Sequence, residues 1–230
     1  MRIYELRRYA LRPGRREDLI GLFEREFVES QEAAGMRVAG TFRDPDAPDT
    51  FPWLRAFPDM AARKAALETF YSGPVWRAHR EAANATMLDS DDVLLLRALA
   101  EPPLRARPPV GADAPPASRY VATVYPVADG FPEFFDGVLA PVLAEAGVPP
   151  VVRFVTEHAE NTFPQLPVRE GENVFVWFAR FDGPAGEGEP DAVDLDTVDL
   201  DAVDLPVVAP RLTAAPQRLR LHPTARSAMR

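Results

Sequence analysis

The sequence predicts an α+β protein built from two successive β-α-β-β-α-β units, and three observations carry that expectation. In the first hundred residues, short segments of strand-like alternation are interleaved with amphipathic helical stretches. A proline-rich run follows. Beyond it, the same spacing of aromatic and glycine residues begins again.

Residues 3–9 open the chain as a strand, with Ile3, Glu5, Arg7 and Tyr9 on one face and Tyr4, Leu6 and Arg8 on the other. Arg12-Pro13-Gly14 is a turn. Across residues 15–34, Leu19, Phe23 and Phe27 recur at i, i+4 and i+8 with Ile20 beside them, an amphipathic helix that Gly35 suits as a C-cap. Residues 36–43 and 51–57 read as strands around a turn-rich stretch. Asp59 is placed to cap a helix over 60–71. Ser72-Gly73-Pro74 breaks that helix, and Trp76, His79, Ala83 and Met87 mark a second helical piece. Residues 93–99 close the unit as a strand, which completes the ferredoxin-like order.

Residues 101–117 hold six prolines and are expected to form a stiff, extended linker. Tyr120, Tyr125 and Gly130 then follow Tyr4, Tyr9 and Gly14 at a constant offset of 116. Ala146-Gly147 and Thr162-Phe163-Pro164 follow Ala34-Gly35 and Thr50-Phe51-Pro52 at 112, and Trp177 and Phe181 follow Trp53 and Phe57 at 124, so that Phe51, Phe163, Trp53 and Trp177 are expected at repeated strand positions. The domain division that results is 1–100, a linker over 101–117, and a divergent second unit over 118–222. That unit carries an acidic insertion at 182–206, and residues 223–230 are expected to be a loose tail. In the insertion Val-Asp-Leu recurs three times at a period of five, which suits neither helix nor strand. A solvated acidic loop is expected there, with a short irregular helix as the alternative. Residues 217–221 read as the last strand.

Composition excludes several function classes. Asp and Glu number 35 against 26 Lys and Arg, a net charge of -9 that argues against nucleic acid or an anionic membrane as partner. No cysteine is present, so disulfides, thiol catalysis and thiolate metal sites are out. Three scattered histidines, with no H-x-x-H or H-E-x-x-H spacing, make a dedicated zinc site unfavourable. G-x-G-x-x-G, G-x-x-x-x-G-K-[ST] and G-x-S-x-G are missing. No apolar run approaches the roughly 20 residues of a membrane span, and the chain opens with no basic and apolar leader pattern, so a cytoplasmic location is expected.

The stretches YELRRYALRPG, GTF, GPVWRAHREA and MLDSDDVLLLRAL resemble the NIPSNAP family of the dimeric α+β barrel superfamily. The resemblance covers residues 1–100 well and residues 119–222 as a divergent second copy. It implies that two ferredoxin-like units pair their sheets within one polypeptide into the barrel that single-unit relatives make as a dimer. The product would be a monomeric pseudo-dimer or a further homodimer. Relatives across the superfamily include cofactor-independent monooxygenases, polyketide cyclases and haem enzymes, so the resemblance speaks to fold more than to reaction.

The candidate site starts from the first strand. If Tyr4 and Leu6 face the helices, Glu5, Arg7 and Tyr9 point into the barrel, where charges must be paired or hydrated. Arg7 would then bind a carboxylate or enolate, with Glu5 as base or as the group orienting Arg7. A structural ion pair is the competing reading. His79 completes the catalytic set, as an acid/base or as a haem ligand, against an ordinary packing role. Trp53, Arg55, Trp76, Arg97, Tyr125 and Trp177 form the candidate ligand-binding set; the aromatic members are equally explained as core. His158 is expected in a loop. No cofactor is expected, haem being the alternative, and the expected partner is a small organic, aromatic or polyketide-like molecule. The competing class is a non-catalytic binding or protein-interaction module.

Overall fold

The computed structural model describes residues 2–182 and 198–230. Nine strands are present among them: β1 Ile3–Leu11, β2 Arg37–Arg43, β3 Thr50–Phe57, β4 Met87–Asp89, β5 Val93–Ala100, β6 Arg119–Pro126, β7 Pro150–Thr156, β8 Val174–Phe181 and β9 Gln217–Pro223. All pairings are antiparallel, and eight strands close a ring in the order β1-β3-β2-β9-β6-β8-β7-β5, with β5 back on β1. β4 adds a short ladder at the end of β1. Closure removes the unpaired edges an open sheet would expose.

Helices lie outside the ring. α1 (Arg16–Leu22) runs through a π-helical turn, Phe23–Phe27, into α2 (Val28–Ala33), and Gly35 ends it with φ of 98°. α3 (Met60–Tyr71) is capped by Asp59, whose Oδ1 accepts from the Ala62 N–H at 2.8 Å. α4 (Pro74–Asn84) starts on its proline. In the second half α5 (Phe131–Phe134) passes through a second π-turn, Phe135–Leu139, into α6 (Ala140–Glu145). α7 (Leu200–Val208) is capped by Asp199, which accepts from the Ala202 N–H at 3.1 Å. The part of the acidic insertion from Leu200 onward is therefore helical, while residues 183–197 lie outside the described residues. Asp204 is drawn out of solvent there by buried polar partners, which a period of five does not reveal.

Three expectations are corrected. First, the inward face of β1 is the other one. Tyr4 and Leu6 pack with Leu54, Leu96, Phe154 and Phe178, from strands of both halves, in the apolar core inside the ring. Glu5, Arg7 and Tyr9 lie on the outer face, under α1 to α4. Eight strands converge their inner side chains on one dry axis, so the uncharged set goes in. The charged set goes where helices can supply partners. Second, Thr162-Phe163-Pro164 is not in a strand; it sits in the long connection between β7 and β8. Phe163 packs there against the core of the first half and stacks on Tyr71, ring centroids 5.8 Å apart.

Third, residues 224–230 are not a loose tail. The chain runs back along β2, with the N–H groups of Thr224 and Met229 donating to Thr41 O and Ala39 O at 2.9 Å each. Arg226 is buried, pairs with Glu29 and donates to Pro108 O at 3.1 Å. Met229 is wholly buried in the barrel core. β2 and β9 pair at only two positions, Phe42 with Pro223 and Arg43 with His222, so this segment completes the seam. The proline-rich connection lies against it: Arg105 N–H donates to Ala228 O at 2.9 Å, and Arg107 reaches Glu32 at 2.9 Å. Gly40 lets the crowded seam close, because a Cβ there would stand 2.4 Å from the Phe42 ring.

Candidate functional site

Register brings the charged residues together. Glu5 lies opposite Arg55 across the β1–β3 ladder and opposite Leu95 on β5, and Arg7 lies opposite Trp53. α3 crosses above with Arg63, Ala66, Leu67 and Phe70 on its buried stripe, which aims Arg63 at the same point. All four charged side chains are 0% exposed. The Glu5 Oε2 atom accepts from Arg7 Nη1 and Arg55 Nε at 2.7 Å each, with Arg55 Nη2 at 2.6 Å, and Oε1 accepts from Arg63 Nε at 2.6 Å. Three guanidiniums therefore share one carboxylate, an excess of two positive charges away from water. Isolated charges in such a place are costly.

The other donors are partly used. Arg7 Nε donates to the Tyr9 hydroxyl at 3.2 Å and Nη2 to Ser90 O at 3.3 Å. Arg55 Nη1 reaches Gln31 Oε1 at 3.1 Å. Arg63 Nη1 reaches Asn161 Oδ1 at 3.0 Å, on the β7–β8 connection of the second half. Arg63 Nη2 and Trp53 Nε1 are buried without a partner among the described residues. Burial pushes the Glu5 carboxyl up, but Arg55, Arg7 and Arg63 together hold it well below the usual carboxylate range. Burial lowers Arg63, only partly opposed by Glu5, and raises the Tyr71 hydroxyl, so Tyr71 stays protonated.

A carboxyl depressed by folding stabilises the fold fully above its unfolded value, 4.5 for glutamate, and the contribution drains as pH falls toward the lower folded value. Acid unfolding followed by circular dichroism should therefore show a loss of stability that starts near pH 4.5. In Arg63→Met, with one counter-charge removed, the loss should be complete at a higher pH.

Two spaces flank the cluster. One is an aromatic cavity of about 30 Å³ lined by Tyr9, Phe27, Gln31, Trp53, Tyr71 and Trp76, room for little more than a water. The other is a cleft of about 280 Å³ between Leu95 and the β7–β8 connection, lined by Thr156, Glu157, His158, Asn161 and Arg169 among others. Asn161 stands between this cleft and Arg63. On the rim, Glu157 faces Arg97 at 4.0 Å and Glu172 pairs with Arg169 at 2.8 Å.

The remaining candidates fall in different places. His79 lies on α4, 3.5 Å from Glu26 and edge-on to Phe27; the small cavity by Phe27 and Trp76 is far below the few hundred Å³ of a typical ligand pocket, and a haem plane would displace α4. Trp53 sits under the guanidiniums of Arg55 and Arg7, at 5.1 and 5.7 Å from its ring. Trp76 packs on Phe27, Phe70 and Tyr71. Tyr125 and Trp177 belong to the core of the second half, remote in sequence and in packing from Glu5. There the Tyr125 hydroxyl donates to buried Asp204, and Arg218 reaches Asp204 at 2.6 Å, Asp201 at 2.7 Å and Thr123 at 2.9 Å. That cluster, at the place matching Arg7 and Tyr9, answers one guanidinium with two carboxylates.

Sequence reasoning missed Arg63, Gln31, Tyr71 and Asn161. Arg63 and Gln31 carried a signal: each interrupts an apolar stripe, 63-66-67-70 and 23-27-28-31, where a polar residue needs a buried partner. Asn161 carried none, since only the tertiary fold brings the second half over the first. Among the described residues, no group of acidic and histidine side chains is arranged to hold a metal ion, and no helix is long and apolar enough to cross a membrane.

Three solved structures share this fold along the whole chain. A putative monooxygenase from Fusobacterium nucleatum aligns at TM-score 0.58 and 9% identity, covering 97% of this chain and 92% of that one. A putative monooxygenase from Lactobacillus acidophilus aligns at 0.56 and 12%, covering 99% and 96%. An anthrone oxidase-like protein aligns at 0.56 and 16%, covering 100% and 94%. At such identities these are likenesses of fold. No curated protein matches the chain. The NIPSNAP family model matches residues 4–100, the stretch that supplies β1 to β5 and every charged member of the buried cluster. Residues 4–100 of this chain thus match the NIPSNAP family, and they supply one half of a closed antiparallel α+β barrel.

Proposed function

We propose that the protein binds a small phenol, enol or carboxylic acid as its anion in the cleft beside Asn161, and acts on it without a cofactor by stabilising that anion. The observation that carries this reading is the surplus of two buried positive charges around Glu5, with Arg63 Nη2 left unpartnered. An anion arriving there sits against Asn161, behind which the guanidiniums are held out of water, where charge stabilisation is strongest. The cluster around Arg218 supplies the contrast: the buried carboxylate of Asp204 meets one guanidinium, exposed Asp201 stands beside them, and no positive charge is left over among the described residues. Held ionised by three arginines, Glu5 is too weak a base to take the ligand's proton, so its role is to orient the guanidiniums. His158, on the wall of the cleft, supplies an imidazole on the ligand's path. The two halves are read as a duplication with boundaries near residues 100 and 118, the first supplying the buried guanidiniums and the second lining most of the cleft. The names of the fold relatives, two putative monooxygenases and an anthrone oxidase-like protein, fit chemistry on organic molecules of this kind.

The test uses 4-nitrophenol, whose anion absorbs visible light. Spectrophotometric titration with the protein in excess should lower its apparent pKa by at least one unit, and Arg63→Met should reduce that shift. One unit corresponds to about 1.4 kcal/mol of preference for the anion. Binding with no shift, or no binding at all, overturns the reading.

A further inference from the structure

Arg63 meets the second half of the chain through a neutral group. Its Nη1 donates to Asn161 Oδ1 at 3.0 Å, and the next contact, the Thr162 hydroxyl at 3.5 Å, is neutral too. Asn161 is held firmly: its Oδ1 also accepts from the Phe163 N–H at 3.1 Å, and its Nδ2 donates to Leu166 O at 2.9 Å. Those bonds fix the amide so that its oxygen faces Arg63. Phe163, two residues further along the same connection, is anchored by stacking on Tyr71. The loop therefore places an acceptor without charge where an aspartate of nearly the same shape would neutralise the guanidinium. In the second half the buried cluster is built the other way round, with Arg218 of β9 facing two aspartates.

We infer that Asn161 is the residue that selects for an anionic ligand: by capping Arg63 with a neutral acceptor it keeps one of the three guanidiniums uncompensated behind the wall of the cleft where the ligand's anionic group docks. This deepens the proposed function and rests on it. The acidic rim does not decide the matter against an anion. Four glutamates line the cleft: Glu157 and Glu172 face Arg97 and Arg169, and Glu160 and Glu170 are exposed; rim charges in contact with water are screened over about 10 Å at ordinary salt, whereas the buried guanidiniums are not. Selection thus comes from a side chain of the second half, whose β7–β8 connection lines the cleft, acting on a guanidinium of the first.

Asn161→Asp and Asn161→Ala separate charge selection from mere packing, because only the first adds a negative charge while both remove hydrogen bonds that hold the loop. With 4-nitrophenol as probe, Asn161→Asp should weaken binding of the phenolate at least tenfold and abolish the downward shift of its pKa. Asn161→Ala should bind it as tightly as the parent protein or more tightly, since Arg63 Nη1 is then free to donate to the probe. Equal losses in both variants would make Asn161 a packing residue and overturn the inference. So would an Asn161→Asp protein that binds as the parent does. Should Asn161→Asp fail to fold, a tenfold loss in Asn161→Ala alone is enough to overturn it. Failure of the parent protein to shift the probe at all sinks the proposed function itself, a result distinct from any of these.

Discussion

Glu5→Gln is expected to be among the most damaging single changes this protein can suffer. The substitution preserves shape while removing the one carboxylate that three buried guanidiniums share. Breaking a buried ion pair by removing one partner costs about 3–5 kcal/mol, out of a total stability of about 5–15 kcal/mol for a folded domain. With about 2–4 °C lost per kcal/mol in a chain of this size, melting should fall on the order of 10 °C, or the protein should not fold. Arg63→Met should be milder, because it removes an excess charge and leaves Glu5 with Arg7 and Arg55. Thermal unfolding of the two variants side by side is the measurement. A melting point for Glu5→Gln equal to that of the parent would mean the cluster does not hold the sheet to its helices.

Removal of residues 224–230 is expected to open the barrel. These residues look dispensable by position, yet Thr224, Arg226, Ser227 and Met229 are all buried, and the β2–β9 ladder they reinforce has only two residue pairs of its own. Met229 fills the interior between strands of both halves. Truncating a buried methionine to alanine alone costs about 2–5 kcal/mol. The deletion adds loss of the Arg226–Glu29 pair and of two backbone bonds to β2. The truncated chain should unfold or expose its seam and self-associate, seen as a lowered unfolding midpoint and a larger species on size-exclusion chromatography. Met229→Ala in the full chain should give a smaller loss of the same kind. A truncated protein that stays folded and monomeric would show that the seam is held elsewhere.

Much of the fold was legible because local rules acted alone. Asp59, Gly35 and Pro74 mark helix ends by chemistry that needs no distant partner, and the structure places them at those ends. The strand periods of β1, β3 and β8 were readable for the same reason. Two errors share one cause. A period of two says that Glu5 and Tyr4 lie on opposite faces but not which face is inward. The repeat Thr-Phe-Pro says nothing about whether Phe163 pairs in a strand or packs on a neighbour. In both cases a contact distant in sequence made the choice. The tail is a third instance: the sequence of residues 224–230 has no strand pattern, and the open seam beside β2 orders it.

From the amino acids alone came the α+β class, the element order of the first unit, the near-repeat of its aromatic positions, and the presence of Glu5 and Arg7 on a common face. Tertiary structure alone decided that this face lies outside the ring, that Arg55 and Arg63 join it, and that Asn161 arrives from the other half. The physical reason is that periodicity is a property of one segment, whereas burial of a charge depends on every group brought around it. One carboxylate among three guanidiniums is a sum over four distant elements, and no single stretch of the chain contains it.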